Sequence, residues 1–288
     1  MDLGSIGIWS SALRNDGDVS QVAEAAAELE DLGYGALWFP GGPPEGFAER
    51  IELLLGATNR VGVASGIASI WTHSASTLAS QCALFEKSHP GRFLLGLGVS
   101  HAHAVAAAGL QYQRPLSKMV SFLDELDEGS TKVAKDRRIL AALGPRMLQL
   151  ARERSLGAHP YLVNPEHTRR VREAVGHDAI VAPEQMVVLD TNPDSARAVA
   201  RQGIARYLAA PNYTNNLARL GFSPADIENG GSDRLVDEIV AWGDVGKIMQ
   251  RIGEHHDAGA DHVCVQVLAA DPSALPRAQW RALAKAFK

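Results

Sequence analysis

Cysteine is scarce in this chain, which carries only Cys82 and Cys264 among its 288 residues. So low a number excludes a disulfide framework and favours a reducing compartment. No apolar run approaches the roughly 20 residues needed to cross a bilayer. The N-terminal MDLGSIGIWS also lacks the basic start of a secretory signal. We therefore expect a cytoplasmic protein with both cysteines in its core.

Basic residues are too few and too dispersed to form a polyanion-binding surface. The chain has 28 Lys and Arg against 33 Asp and Glu, a net charge of −5. This balance argues against nucleic acid or an anionic membrane as the main partner and favours a small-molecule substrate. The apolar fraction of 46% and the charged fraction of 21% are typical of a globular chain with a sizeable core.

Short apolar runs alternate with amphipathic segments along the whole chain. The predicted strands are 3–8, 34–39, 61–67, 92–99, 138–143, 158–163, 185–189 and 262–268. Helical spacing of apolar residues follows these runs, and Asn164, Asn192 and Ser223 each precede a proline, as at helix starts. Eight strand–helix units with right-handed connections close most economically as a (β/α)8 TIM barrel. A doubly wound open sheet is the alternative.

The length suits one barrel domain over residues 1–288, since such barrels take about 250 residues. The segment from about 190 to 259, between strands seven and eight, is too long for one crossover. We expect it to form a helical insertion beside or over the mouth of the barrel. Its segments APNYTNN and GGSDRLVD could cover a substrate or simply connect surface elements.

Ligands of such barrels bind at the carboxyl ends of the strands. His101, after strand four, is the candidate for acid–base catalysis because imidazole exchanges a proton near neutral pH. A structural hydrogen-bonding role is its alternative, and His73 is a second candidate. LGPRM, at 143–147, puts free amides at a strand-to-helix turn that could bind a phosphate, or that is a plain helix start with Arg146 on the surface.

Several longer segments carry a family resemblance. They are GYGALWFP, SIW, GRFLLGLGVSH, LAALGPRMLQLA, LGAHPYLV, APNYTNN, GGSDRLVD and AGADHVCVQVL. Together they resemble the luciferase-like monooxygenase superfamily, and within it the F420-dependent oxidoreductase branch, over nearly the whole chain. One departure is that Pro40 is followed by two glycines, where several F420 enzymes carry an acidic residue or histidine.

The resemblance implies that the deazaflavin coenzyme F420 lies across the barrel mouth. Residues then expected to border the ring are Trp9, Phe39, Ser69, Ile70, Ser100 and His101. Residues expected near the cofactor side chain or phosphate are Gly144, Pro145, Arg146, Met147, Gly157, Ala158, His159 and Tyr161. The resemblance also implies a non-prolyl cis peptide after strand three, which we expect at Ser69–Ile70, and makes a homodimer plausible.

The function expected from these features is hydride transfer between F420 and a small organic substrate, with His101 or a positioned water moving the proton. An FMN-dependent monooxygenase of the same superfamily is the nearest alternative. A metal-dependent hydrolase using His101, His103 and His159 is a further one, although no carboxylate ligand is well placed. A deazaflavin-binding protein without turnover is the last.

Overall fold

The strands form one parallel sheet. The computed structural model describes residues 1–14, 18–271 and 274–287, and within them the sheet has 11 strands, all paired in parallel. They are β1 (Ile6–Trp9), β2 (Ala36–Phe39), β3 (Gly62–Ser65), β4 (Ala68–Ser69), β5 (Phe93–Gly98), β6 (Arg138–Leu140), β7 (Gly157–Ala158), β8 (Ile180–Val181), β9 (Glu184–Val188), β10 (Ala241–Trp242) and β11 (Val263–Val267).

The sheet curls into a TIM-like barrel that is joined through an interrupted seventh strand. The order runs β9, β11, β1, β2, β3, β5, β6, β7, β8. Here β8 and β9 are two halves of one strand, broken at Ala182 and Pro183. The Ala182 N–H donates to Ala158 O and the Cys264 N–H to Pro183 O, both at 2.9 Å. These bonds link strand six to strand seven and strand seven to strand eight, so the predicted barrel is confirmed and the open sheet is wrong.

The third strand is interrupted as well. It was expected to run to residue 67, but β3 ends at Ser65 and the chain resumes as β4 after a cis peptide at Gly66–Ile67. The prediction of a cis bond at Ser69–Ile70 is therefore wrong in position. The reason is that Ala68 and Ser69 continue the sheet by pairing with Leu97 and Gly98, so the break comes before them.

Alternate residues of the strands face the barrel interior and the surrounding helices. In β2, Ala36 and Trp38 belong to the inner cluster of buried side chains, whereas Leu37 and Phe39 belong to the outer one. Cys264 lies inside β11 between outward-facing Val263 and Val265. Such two-sided burial is why the strands appear in the sequence as continuous apolar runs. Both cysteines are free, Cys264 fully buried and Cys82 half-buried against the core.

Helices cover the outside of the sheet, and many begin at the caps expected from the sequence. They are α1 (Val19–Asp31), α2 (Phe47–Gly56), α3 (Ala75–Ser88), α4 (Ala102–Ala107), α5 (Pro115–Glu128), α6 (Pro145–Arg154), α7 (Pro165–Val175), α8 (Pro193–Leu208), α9 (Pro211–Arg219), α10 (Pro224–Ile227), α11 (Asp233–Ile239), α12 (Val245–Asp257) and α13 (Arg277–Ala284). Asn164, Asn192 and Ser223 accept backbone N–H bonds at the starts of α7, α8 and α10. None of these helices is both long and apolar enough to cross a bilayer, over the residues that the structure describes.

The insertion between strands seven and eight consists of α8 to α11, followed by β10 and α12. Helix α8 packs on the inner cluster through Ala196, Ala200 and Ile204. Tyr207 at its end and Tyr213 in α9 are buried and meet edge to face, with ring centroids 5.0 Å apart. This packing holds α8 and α9 at the carboxyl end of the barrel.

Candidate active site

A cavity of about 620 Å³ opens at the carboxyl ends of the strands. It is walled by the ends of β1, β3 and β5, by the start of α6, and by α8 and α9. Its lining residues are Trp9, Ser11, Pro40, Gly66, Ile67, Val99, Ser100, His101, His103, Ala104, Tyr112, Pro115, Leu116, Ala141, Ala142, Leu143, Gly144, Pro145, Arg146, Met147, Tyr161, Arg206, Tyr207, Asn212, Tyr213, Asn215 and Arg219.

The inner wall of this cavity is aromatic and is tied to the carbonyl of Gly66. The Trp9 indole N–H donates to that oxygen at 2.9 Å, and the Tyr161 hydroxyl donates to it at 3.1 Å. The two rings meet edge to face at 5.7 Å. A Cβ at position 66 would lie 2.6 Å from the Trp9 indole nitrogen, so glycine is required here. The result is a rigid, largely apolar surface against which a flat ring could lie.

The barrel interior below this wall is filled by Trp38, His159 and His262. Trp38 stacks on His159 with centroids 4.3 Å apart and donates its indole N–H to His262 Nε2 at 3.0 Å. Burial lowers the pKa of His159 to about 3 and that of His262 to about 4, so both rings are neutral at physiological pH. His159 meets Tyr161 edge to face at 4.9 Å and so supports the wall from beneath.

His101 lies after β5, at the start of α4, in the cavity wall. Its ring centroid is 5.3 Å from that of Tyr213 and 5.6 Å from that of His103. Its Nδ1 is buried and meets no hydrogen-bond partner among the described residues. Burial lowers the pKa of the imidazole, an effect that the neighbouring Asn212 amide partly offsets. A predominantly neutral ring with a free nitrogen can accept a proton from a group bound in the cavity.

One end of the cavity carries unpaired positive charge at a helix start. Gly144 precedes α6, and Arg146 is the second residue of that helix. The guanidinium of Arg219, from α9, approaches this turn, since a Cβ on Gly144 would lie 3.8 Å from its Nη1. Within the described residues, neither arginine has a carboxylate partner and no Asp or Glu lines the cavity. Unpaired guanidinium groups beside a helix N-terminus favour a phosphate.

The insertion also supplies polar and aromatic side chains from α8 and α9 to the cavity. Arg206 lies over the ring of Tyr207, 4.7 Å from its centroid, and donates from Nη2 to its hydroxyl at 2.7 Å. Asn212, Tyr213 and Asn215 follow from α9. APNYTNN therefore lines the cavity, as expected of a cover. GGSDRLVD packs away from it, where Asp237 pairs with Arg197 at 2.6 Å.

Eight of the fourteen residues expected at the site line the cavity, and the others do not. The first group is Trp9, Ser100, His101, Gly144, Pro145, Arg146, Met147 and Tyr161. The second group is Phe39, Ser69, Ile70, Gly157, Ala158 and His159. Lining a cavity is not the same as binding a cofactor, so the binding roles of the first group stay predictions.

The residues outside the cavity are there for specific reasons. Phe39 faces outward and packs against Phe47 of α2, with centroids 6.1 Å apart. Ser69 pairs in the sheet and Ile70 is buried in the outer cluster, because the cis peptide comes earlier than expected. His73, the second acid–base candidate, is buried at Gly42, whose carbonyl lies 3.2 Å from its Nε2.

The other three expected residues that do not line the cavity, Gly157, Ala158 and His159, lie in or directly after strand six. Gly157 and Ala158 are paired with β8, and a Cβ on Gly157 would lie 1.9 Å from Ile180 O. His159 faces the barrel interior, where its Nδ1 lies 2.6 Å from Ala182 O. Only Tyr161, past the end of the strand, reaches the cavity.

Six of the lining residues that strand-end reasoning missed come from the insertion. Arg206, Tyr207, Asn212 and Arg219 lie in helices whose apolar periodicity says nothing about what their polar faces meet. Gly66 and Ile67 were missed because they were assigned to the interior of strand three. APNYTNN was the one sequence signal for this part of the wall.

A three-ligand metal site is not assembled by the histidines considered for one. His101 and His103 share the cavity, whereas His159 lies beneath its wall. In the described portion of the chain, no three His, Cys, Asp or Glu side chains are grouped as metal ligands. This arrangement gives the hydrolase interpretation no support.

Comparisons with known proteins agree with the fold and the sequence segments. Residues 5–137 match the family model described as luciferase-like monooxygenase. An F420-dependent secondary alcohol dehydrogenase in complex with an F420–acetone adduct is similar in structure, with a TM-score of 0.71 and 15% identity, over 95% of this chain and 98% of that one. The coenzyme F420-dependent tetrahydromethanopterin reductase of Methanopyrus kandleri is also similar, with a TM-score of 0.68 and 16% identity, over 97% of this chain and 96% of that one.

An FMN complex has the same architecture. The oxygenating constituent of 3,6-diketocamphane monooxygenase from Pseudomonas putida, a type II Baeyer-Villiger monooxygenase, gives a TM-score of 0.68 and 14% identity, over 98% of this chain and 96% of that one. At such identities these likenesses establish the fold, and both F420-dependent and FMN-containing proteins share it.

Proposed function

We propose that this chain is an oxidoreductase of the luciferase-like monooxygenase family, whose model matches residues 5–137, and that it transfers a hydride between coenzyme F420 and a small organic substrate. The observation that carries this proposal is the cavity itself, which joins an aromatic wall at Trp9 and Tyr161 to an end with unpaired positive charge at Arg146 and Arg219. A planar ring linked to a phosphate has matching chemistry at both ends.

Arg146, Arg219 and the first turn of α6 would hold the phosphate. Their guanidinium groups have no carboxylate to neutralise them within the described residues, so an incoming phosphate displaces no internal ion pair. The partial positive charge of the helix N-terminus acts in the same direction. Pro145 fixes the first helical residue, which keeps this turn in place before a ligand arrives.

Trp9, Tyr161 and the Gly66–Ile67 segment would hold the ring. Both aromatic side chains are anchored by the same carbonyl, and His159 supports Tyr161 from below. When bound, a deazaflavin supplies a ring carbon that can take up or release a hydride. The protein's part is to present the substrate to that ring and to limit the access of water.

His101 would move the proton that accompanies hydride transfer. Its pKa is lowered by burial, so the neutral form prevails at neutral pH and can accept the proton of a substrate hydroxyl through a ring nitrogen. In the reverse direction the protonated ring would donate. Asn212 lies beside the imidazole and would orient it.

An FMN-dependent monooxygenase is the second candidate, because an FMN-containing protein shares the fold and the anion-binding end would suit the phosphate of FMN equally well. The two functions differ in what reduced cofactor does. Oxygen uptake that depends on reduced FMN and substrate would favour the monooxygenase.

Turnover with the deazaflavin tests the proposal. Purified protein is incubated without oxygen with oxidised F420 and secondary alcohols, or with reduced F420 and their ketones, and the cofactor absorbance is followed. We expect a stoichiometric change in cofactor and substrate. Absence of any change across a broad panel, together with oxygen uptake in the presence of reduced FMN, would replace the proposal by the second candidate.

A further inference from the structure

The cavity holds more unpaired positive charge than one phosphate needs. Arg146, Arg206 and Arg219 all line it, and no carboxylate shares the lining within the described residues. Arginines elsewhere are mostly paired, as Arg154 is with Asp124 at 2.7 Å and Arg197 with Asp237 at 2.6 Å. In a chain of net charge −5, such a concentration of cations in one cavity calls for anionic ligands.

The three arginines form two groups. Arg146 and Arg219 flank the start of α6, where the guanidinium of Arg219 approaches Gly144. Arg206 comes from α8 and lies over Tyr207, and its charge acts on His101. The first group suffices for a cofactor phosphate, so Arg206 is left beside the residue expected to move the proton.

The chemistry around Arg206 suits a singly charged, planar anion. The Tyr207 hydroxyl accepts one N–H from Nη2, and no carboxylate lines the cavity beside the rest of the guanidinium within the described residues. A guanidinium matches the geometry of a carboxylate through parallel N–H bonds. His101 adds no second positive charge while its imidazole is neutral, so a phosphate dianion would be less well matched.

We propose that Arg206 is the anion anchor of the substrate site and that the substrates of this protein carry a carboxylate, which Arg206 binds while the reacting group faces His101. This inference rests on the proposed function, since it assigns the remaining part of the same cavity to the substrate. Arg206 is thus a specificity-determining residue. It acts on binding and takes no part in proton transfer.

Binding of matched ligand pairs tests this role without turnover. The protein is titrated by calorimetry with small carboxylates and their neutral amides, from acetate and acetamide to benzoate and benzamide, with and without saturating oxidised cofactor. We expect at least one carboxylate to bind about tenfold or more tightly than its amide, as a charge-assisted hydrogen bond of roughly 1.5–3 kcal/mol implies. We expect Arg206→Gln to remove this preference and Arg206→Lys to retain part of it.

Arg219→Gln is the matched comparison, because it removes the same charge from the other group. We expect it to weaken cofactor binding and to keep the carboxylate preference, whereas Arg206→Gln keeps cofactor binding. The inference is overturned if no carboxylate binds better than its amide, if Arg206→Gln keeps the preference, or if Arg206→Gln loses cofactor affinity as Arg219→Gln does. If the unaltered protein binds neither F420 nor FMN, the proposed function itself fails, and the cofactor titration reports this separately.

Discussion

Gly66 shows how closely the wall of the cavity is fitted at the level of single atoms. Its carbonyl accepts from Trp9 and Tyr161, and its missing side chain leaves room for the Trp9 indole nitrogen at 2.6 Å and His159 Nε2 at 3.2 Å from the position of a Cβ. These contacts come from β1, strand six and its following loop. One methyl group here would therefore press on side chains from two parts of the barrel, Trp9 and His159.

We expect Gly66→Ala to destabilise the protein by about 1–3 kcal/mol, the usual cost of overpacking a close-packed region. Gly253→Ala in α12 is the control, because nothing lies within 4 Å of a Cβ there and alanine favours a helix. Denaturant unfolding measures both. If Gly66→Ala and the unaltered protein have the same free energy of unfolding, the neighbouring side chains can move to accommodate the methyl group.

His101 is the residue on which the proposed chemistry depends most. We expect His101→Gln to lower kcat by about 100-fold or more, the usual contribution of a positioned general acid or base, while the Kd of the cofactor changes little. His177→Gln is the matched control, since this histidine is exposed between α7 and β8. A His101→Gln variant with unchanged kcat at every pH would leave proton transfer to a water.

At the scale of elements, the first turn of α6 is expected to act as a phosphate site together with α9. Arg219→Gln should raise the Kd of a phosphorylated cofactor by about tenfold, in line with the loss of one charge-assisted bond. Arg152→Gln serves as control, because Arg152 is exposed in the last turn of the same helix. Equal effects of the two changes would mean that overall charge, and not the start of α6, attracts the cofactor.

The elements that could be predicted are those whose signals are local. Eight strand positions, the prolines that start α6 to α8, and the caps at Asn164, Asn192 and Ser223 depend on a few neighbouring residues, and all were found. The ends of the strands were harder to predict from the sequence. Strand six was expected over 158–163 but pairs only at Gly157–Ala158, and the short β4, β8 and β10 were not foreseen.

The site was only partly predictable because it depends on which face a residue presents. Phe39 ends a strand as Trp9 does, but it faces the helices, and a run buried on both faces has no alternation that would reveal this. Arg206 and Arg219 reach the cavity through the docking of α8 and α9, which is a long-range contact without a sequence period. APNYTNN gave the position of that contact but not its chemistry.

Across the whole molecule, buried ionisable groups are expected to govern how stability varies with pH. Burial lowers the pKa of His159 and His255 to about 3 and that of His167 and His262 to about 4. The unfolded chain binds protons near the ordinary value of 6.5, so stability is fully present above pH 6.5 and is lost as the pH falls below it. The slope is up to about 1.4 kcal/mol per pH unit for each histidine.

His255→Gln should reduce this slope between pH 6.5 and 4, because the imidazole, held between Thr168 and Gln185 at 2.8 Å each, is removed from the titration. His177→Gln is the matched control, since it makes the same substitution at an exposed histidine. Denaturant unfolding at a series of pH values measures it. A slope that is the same in all three proteins would show that His255 does not contribute.

Glu184 changes stability with pH in the direction opposite to the buried histidines. It is 1% exposed at the start of β9, and burial raises its pKa to about 8, against the opposing effects of the Leu162 N–H and Arg206. Between its ordinary value near 4.5 and about 8, the folded state keeps a proton that the unfolded chain has released. Stability from this group is therefore greatest at low pH and falls as the pH rises through that window.

We expect Glu184→Gln to be more resistant to unfolding than the unaltered protein at pH 8, with the difference shrinking toward pH 6.5. The comparison isolates Glu184, since the buried histidines are the same in both proteins and contribute equally to both. Unfolding of the two proteins across it gives the comparison. A difference that stays constant with pH would mean that the carboxyl ionises normally in the folded state.

The proposed function and the role of Arg206 both depend on one claim, that the cavity binds a phosphorylated redox cofactor. Equilibrium binding tests this claim most directly. Purified protein is titrated with F420, FMN and riboflavin, following the fluorescence and absorbance of each ring. We predict saturable binding of F420, weaker binding of FMN, and at least about tenfold weaker binding of phosphate-free riboflavin than of FMN. Failure to bind either phosphorylated cofactor, or equal affinity for FMN and riboflavin, would contradict the assignment.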